Sequence, residues 1–290
     1  MTPADILDGM DRLGSLPEAV VRVNQLIDSP GSSLAEIGEV IGHDAALSAR
    51  LLRLVNSAFY SFPAAIGTVS RAISLIGTDE VRTLVVASAA VSTFAGIDPR
   101  LVDMNAFWLR SVYCGLIARK LAATRFRRGT ETQFLSGLLH DVGKLVVFRR
   151  LPERAAMMLA QAETSGVPLY RIERESLGFT SADVGAELLE RWKLPRQLWE
   201  PIRFQHAPEA AQTHSWEASV LHVARAVTNQ FEPELKTAER KGELDDLPAS
   251  AAALALLGLG SEQLSAVAFE ANIESIDVLG VLSPSSATIF

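Results

Sequence analysis

Residues 134–148 read FLSGLLHDVGKLVVF, an apolar run in which His140 and Asp141 stand side by side. The run is apolar enough to be buried, and polar side chains in such a place need partners. The spacing of Phe134, Leu135, Leu138, Leu139 and Val142 predicts a helix that turns these residues inward. Neighbouring residues on a helix point about 100° apart. His140 and Asp141 can therefore share an ion only at the rim of a helix end, where other segments converge. Divalent metals at hydrolytic sites take imidazole nitrogens and carboxylate oxygens, and a catalytic centre needs about three protein ligands plus an open position for water. The pair supplies two. It reads either as a buried, hydrogen-bonded tie between helices or as part of a metal centre whose other ligands lie elsewhere.

Outward from this stretch the pattern is helical and strand signals are scarce. Ser33 with Glu36 forms a capping box ahead of Leu34, Ile37, Val40 and Ile41. Asp44 is placed to cap the next helix, with Leu47, Leu51, Leu54 and Val55 as its apolar stripe, and SAFYSFP at 57–63 ends it. A helix is expected from about Thr68 to Ile76, stopped by Gly77, and Thr78 is placed to cap its successor. Asn105 opens a helix carrying Trp108, Val112, Leu116 and Ile117. Pro152 suits the first turn of another and Gly166 its end. Ser181 is expected to cap SADVGAELLERWK, Pro195 to start a helix kinked by Pro201, and further helices to cover about 215–229, 248–257 and 261–274. The segment GIDPRLVD at 96–103 combines glycine, proline and charge between two long apolar patterns. It places a boundary between an N-terminal helical bundle, 1–98, and a second helical unit, 99–290. EPELKTAERKGELDD at 232–246 reads as a solvated connection, and the tail LSPSSATIF shows no periodicity.

With 290 residues, 48% of them hydrophobic, the chain can build a substantial core. A net charge of −7 disfavours nucleic acid or an anionic membrane as the main partner, since both require broad positive potential. Cys114 is the single cysteine, read as a small core residue and consistent with a reducing compartment. The beginning MTPADILDGMD lacks a basic and an apolar signal region, and LVVASAAVSTFAGI at 84–97 falls short of the roughly 18 residues a spanning helix needs. A cytoplasmic location is expected. No P-loop, GxGxxG, cysteine pair or GxSxG turn is present, and no cofactor is expected.

The string GLLHDVGK is far more specific than the pair it contains, and it resembles the signature of the HD superfamily of metal-dependent phosphohydrolases. The wider chain is similar to one branch of that superfamily, the bacterial HDOD domain proteins of signalling pathways. The likeness extends from LGSLPEAVVRVNQLI at 13–27, through EIGEVIGHDAALSARLLRLVNSAFYS and TVSRAISLIG, to LGFTSADVGAELLERWKLP and IRFQHAPE. It implies an all-α fold: an N-terminal HDOD-type bundle and an HD-like helical core, together one HDOD unit.

The active HD enzymes hold metal with a histidine, the His-Asp pair, often further histidines and a distant aspartate. Carried over by position, the pair persists as His140 and Asp141. The first histidine falls where this chain has Arg110, beside Ser111, and another where it has Ser181. A double histidine survives as Gln205 and His206, and the last aspartate is replaced by Arg225. A guanidinium within about 4 Å of a divalent ion would oppose it by roughly 8 kcal/mol at an effective dielectric of about 20. Arginine does not escape by deprotonating. These substitutions imply a vestigial pocket with no catalytic residue and no metal, in which the cations neutralise Asp141 or receive a phosphate. His206 reads as a surface or hinge histidine, Lys144 as favouring the C-terminal dipole of its helix, and His43, His214 and His222 as ordinary polar residues.

In the N-terminal half, Asn56 and Ser57 can bond backbone groups at a helix end while Phe59 and Tyr60 pack the turn. The functional alternative makes Asn56, Ser57 and Arg71 a surface through which the two parts communicate. Arg125, Arg127, Arg128, Arg149, Arg150 and Arg154 form a local basic cluster, read as a solvated face, with a nucleotide or anionic partner as the alternative. The resemblance then implies a non-catalytic signal-transduction module acting through signalling proteins or a bound nucleotide or other anionic ligand. The alternative is a metal-dependent phosphohydrolase or cyclic-nucleotide phosphodiesterase.

Overall fold

The computed structural model describes residues 1–8, 16–57, 60, 62–94, 97–126, 130–231 and 249–282. The expectations for Phe59, Arg127, Arg128, the 232–246 segment and the tail lie outside the described residues.

Every regular element among the described residues is helical. The first group comprises α2 (Glu18–Asp28), α3 (Leu34–His43), α4 (Ala45–Val55), α5 (Val69–Ile76) and α6 (Thr78–Thr93), which pack on one another. The second is built on α7 (Met104–Ala123), which runs through its centre. Trp108, Val112, Leu116, Ile117 and Leu121 of α7 are all buried, because α8 (Glu131–Leu139), α14 (Ser215–Phe231) and α16 (Ser261–Leu282) cover different sides of it. A helix surrounded in this way is apolar over most of its circumference instead of along a single stripe. Around it stand α9 (Val142–Arg150), α12 (Ser181–Arg191) and α13 (Arg196–Arg203). The pair α10 (Pro152–Ser165) and α11 (Leu169–Leu177) is inserted between α9 and α12, and α15 (Ala251–Leu257) packs on α14. The short α1 (Pro3–Leu7) packs on α9 and α12 although it comes first in the chain. α6 packs on α8, and α16 reaches α4 and α6, so one continuous core joins both groups.

Local chemistry accounts for most helix ends. Ser33 and Glu36 form the expected capping box: Glu36 N donates to Ser33 Oγ at 3.2 Å and Ser33 N to the Glu36 carboxylate at 2.8 Å. Asp44 Oδ1 accepts from Leu47 N at 2.9 Å and Thr68 Oγ1 from Arg71 N at 3.3 Å. Gly166 ends α10 at a φ of +67°. Three caps differ from expectation. Thr78 is the first residue of α6, and Gly77, at φ +84°, precedes it without a side-chain cap. α7 begins at Met104 because Asp103 accepts from Asn105 N at 2.8 Å and Ala106 N at 3.3 Å. Thr180, not Ser181, caps α12 in a capping box with Asp183. Pro201 lies inside α13 as expected.

Glycine sets the closest helix approach. A Cβ built on Gly143 would lie 1.9 Å from Ser181 O and 2.5 Å from Gly185 N, so α9 and α12 touch backbone to backbone. Among the described residues no single helix is long and apolar enough to cross a membrane. α15 and α16 meet that test only as a pair bent by 82°.

Candidate functional site at the break between α8 and α9

The helix expected across 134–148 is broken at the two polar residues. α8 ends at Leu139, α9 starts at Val142, and His140 and Asp141 form the joint. Gly143, directly after the joint, lies against the backbone of α12. At the break the His140 side chain lies beside Asp141 and Cys114 of α7, and Asp141 lies within reach of the Arg225 charge on α14.

His140 is buried. Its Nδ1 lies 2.6 Å from Gly137 O, and its Nε2 lies 3.3 Å from Asp141 Oδ2. A carbonyl and a carboxylate only accept, so both ring nitrogens face acceptors and the imidazolium form is favoured. Burial pushes the imidazole down, but the Asp141 carboxylate and the Cys114 thiol beside it outweigh this and hold it up at about 9. Lys144 Nζ donates to Asp141 Oδ2 at 2.6 Å. Burial works to raise Asp141, whereas His140, Lys144 and Arg225 hold it well below the usual carboxylate range.

Arg225, from α14, closes the other side. Its Nη1 donates to Gln205 O at 3.3 Å and lies 3.4 Å from His206 Nδ1, while its Nε is buried without a hydrogen-bond partner. Gln205 Nε2 donates to His140 O at 2.8 Å, tying the turn after α13 to the break. The His206 ring stacks on Tyr170 of α11, with centroids 4.0 Å apart and planes 15° from parallel. Burial, reinforced by the Arg225 charge, pushes His206 down to about 2. The two histidines of one pocket are thus driven in opposite directions, His140 up by a carboxylate against its burial and His206 down by burial with the Arg225 charge added.

The structure brings His140, Asp141, Gln205, His206 and Arg225 together. Arg110 approaches from α7 and its Nη2 donates to Asn229 Oδ1. It is close enough that its charge, with burial, depresses Arg225, against the pull of Asp141. Ser181 is turned aside: its N and Oγ both donate to Glu173 Oε2, at 2.8 and 2.9 Å. Burial raises the Glu173 carboxyl, and the Ser181 bonds and the nearby Lys144 charge oppose that rise.

Several residues take parts that their sequence context did not reveal. Glu173 and Tyr170 belong to α11, which carries no motif. Lys144 sits in the first turn of α9, so the C-terminal dipole reading is wrong and its position three residues after Asp141 is what matters. His206, which the resemblance places in the vestigial pocket and the local sequence reads as a surface or hinge histidine, is half-buried beside Arg225 and Tyr170. His222 has two partners: its Nδ1 lies 2.8 Å from Gln205 O, and Ser250 N donates to its Nε2 at 3.0 Å.

Asn56, Ser57 and Arg71 lie away from this pocket, in the first group of helices. Asn56 Nδ2 donates to Leu52 O and Ile66 O, and its Oδ1 accepts from Ile66 N, at 2.7 to 2.9 Å. Ser57 Oγ donates to Leu54 O at 2.7 Å. Arg71 is exposed in the first turn of α5. Tyr60 OH bonds Glu80 of α6, and the Arg119 guanidinium of α7 lies 5.8 Å from the Tyr60 ring centre. This aromatic and charged contact joins the two groups of helices.

The donors at the break do not fit a divalent ion. Among the described residues no cluster of three or more His, Cys, Asp or Glu side chains is placed to hold one. Asp141 Oδ2 is engaged by Lys144, and both His140 nitrogens face acceptors.

Comparisons with known proteins agree with this architecture. A crystal structure from Shewanella amazonensis SB2B, named "Putative phosphohydrolase", is 28% identical and superposes with a TM-score of 0.76, covering 97% of this chain and 98% of its own. One from Marinobacter aquaeolei VT8, named "Putative signal transduction protein", is 25% identical with a TM-score of 0.70, covering 92% of this chain and 59% of that one. An HDOD domain protein with unknown function from Geobacter sulfurreducens shares the fold, with a TM-score of 0.70 at 22% identity, covering 92% of this chain and 91% of that one. An "Uncharacterized protein" of Treponema pallidum (strain Nichols) is 28% identical over 211 residues, 71% of this chain. The match takes in 40% of that curated relative's length. The HDOD domain model matches residues 13–208, across both groups of helices and through the break at His140 and Asp141, and the chain belongs to the HDOD domain family.

Proposed function

We propose that this protein is a regulatory module of signal transduction, working inside the cell by binding instead of catalysis. The observation that carries this reading is the 2.6 Å contact between Lys144 Nζ and Asp141 Oδ2. An internal cation engages one oxygen of the carboxylate that a metal centre would need, and Arg225 adds a second positive charge close by. The pocket is then held together by its own ion pairs, and its remaining donors suit an anion. Arg225 and Lys144 supply charge, while the stacked Tyr170 and His206 rings offer an aromatic wall. Signalling proteins, or a nucleotide or other anionic ligand, would report through this pocket to α6 and α8.

The test is elemental analysis of protein purified from cells supplied with manganese, iron and zinc, with phosphodiester hydrolysis assayed beside it. The reading expects metal well below one ion per chain, with no turnover on added manganese. One bound ion per chain that is lost in Asp141→Asn, together with hydrolysis, would instead make the chain a phosphohydrolase, as the name of the Shewanella protein suggests. The anionic ligand is tested by isothermal titration with inorganic phosphate and with mononucleotides, where binding should require Arg225 and fail in Arg225→Gln.

A further inference from the structure

The inner face of α16 is anchored: Leu264, Ala268, Ala271, Ser275, Val278, Leu279 and Leu282 are buried, and Tyr113 OH donates to Ala268 O at 3.1 Å. Its outer face is also apolar. Phe269, Ile273 and Ile276 are 69%, 62% and 54% exposed, and exposed Ala266 continues the line toward the N-terminus of the helix. Successive members are three or four residues apart, so they form one stripe along the helix. Isolated exposed apolar residues are ordinary, but an aligned run on one helix marks a contact surface.

The stripe has a charged edge of one sign. Residues 251–282 contain Glu262, Glu270, Glu274 and Asp277 and neither Lys nor Arg. Glu270 and Asp277 stand roughly a quarter turn to one side of the stripe. Lys120 answers Glu270 and Glu274, at 3.0 and 2.8 Å, while Glu262 and Asp277 have no ion-pair partner among the described residues. Edge charges decide which helix pairs with such a stripe. A second copy presenting the same face brings only Lys120, already paired with Glu270 and Glu274, and an acidic edge is repelled by an anionic lipid surface.

We infer that α16 is a docking surface for an amphipathic helix of a partner protein, whose apolar residues meet Phe269, Ile273 and Ile276 and whose Lys or Arg side chains meet Asp277 and Glu262. The interaction is a helix-on-helix contact anchored at three positions. It is independent of what the pocket at His140 binds.

The test uses the full chain and a fluorescein-labelled 18-residue model helix of leucine and lysine, with the corresponding leucine and glutamate helix as control, read by anisotropy. The lysine helix should bind and the glutamate helix should not. Phe269→Ser with Ile273→Ser should weaken binding about tenfold or more, as expected for central anchors. Asp277→Asn with Glu262→Gln should weaken it and flatten its salt dependence. Circular dichroism and thermal unfolding matching the parent show that the variants fold. Equal binding of both helices, or binding that survives the double serine variant, overturns the proposal. So does dimerisation in sedimentation that is lost in Ile273→Ser, which would assign the stripe to a second copy. Stripe-dependent binding to phosphatidylglycerol vesicles would assign it to a membrane and overturn the proposal equally.

Discussion

Lys144 Nζ stands 2.6 Å from Asp141 Oδ2, the same oxygen that His140 Nε2 faces at 3.3 Å. One buried carboxylate thus serves two cations, with a third, Arg225, acting on it from α14. Removing that charge leaves all three uncompensated. Asp141→Asn, which keeps the side-chain shape, is expected to cost about 3–5 kcal/mol of folding stability, the range for breaking a buried ion pair from one side. Lys144→Met should cost only about 1 kcal/mol, because the lysine is 27% exposed and solvent screens its share. Urea unfolding of the two variants at pH 7 separates these outcomes, and equal costs would mean that Asp141 is not the hub.

The two pocket histidines give the protein a pH signature. His140 is raised in the fold to about 9 from an ordinary 6.5, so its contribution is complete below about pH 6.5 and is lost as pH rises through 9. His206 is depressed to about 2. The unfolded chain therefore takes up its proton first, and stability falls as pH drops below about 6.5. Asp141, also depressed, adds a loss below about pH 4. Unfolding free energy should peak near pH 6.5. The alkaline limb should flatten in His140→Gln and the acid limb in His206→Gln. Nitrogen-15 imidazole spectra check the cause directly: at pH 7.5 His140 should carry protons on both nitrogens, and at pH 5 His206 should still be neutral.

The stretch 134–148 reveals burial and a polar pair, but periodicity alone does not show that the helix stops there. Val142 continues the apolar spacing of Leu135, Leu138 and Leu139, so the pattern reads straight through the joint. Directly after the break Gly143 meets Ser181 and Gly185, thirty-eight and forty-two positions downstream, and no local window contains that contact. Local chemistry is what sequence reports well. The Ser33 box, the Asp44 and Thr68 caps and the Gly166 stop all involve partners within four residues. At the pocket, positional resemblance locates Arg110, Gln205, His206 and Arg225, while Ser181 turns toward Glu173, a partner the motif does not include. Glu173 and Tyr170 carry no spacing signal because only the packing of α11 brings them there.

Gly143 also permits a sharp mutational contrast. A methyl group at this position would penetrate Ser181 O, and both neighbours are backbone, which cannot rotate aside. Gly143→Ala should cost at least about 3 kcal/mol, at or beyond the upper end for overpacking, or prevent folding. Gly185→Ala, whose nearest atom is 3.3 Å away, should be milder. Gly42→Ala, at an exposed position of α3 with nothing within 4 Å, should stabilise by about 0.5–1 kcal/mol through backbone entropy. Thermal unfolding that ranks the three in this order supports the close crossing of α9 on α12; a neutral Gly143→Ala would require the helices to sit farther apart.

Asn56, Ser57 and Arg71 are separable by stability. Asn56 makes three hydrogen bonds that hold Ile66 and the end of α4 together. Asn56→Ala should therefore cost about 2 kcal/mol, several neutral bonds at about 0.5–1.5 each with some recovery by water. Asn56→Asp keeps the acceptor for Ile66 N but turns an oxygen toward Leu52 O and Ile66 O, so at neutral pH it should cost at least as much. Ser57→Ala loses one bond to Leu54 O and should cost less than Asn56→Ala. Arg71 is exposed, and Arg71→Ala should change stability by no more than about 0.5 kcal/mol. If a partner is found whose affinity falls in Arg71→Ala without loss of stability, Arg71 belongs to the contact surface. Asn56 variants that weaken the same partner only in proportion to unfolding would place Asn56 in the scaffold beneath it.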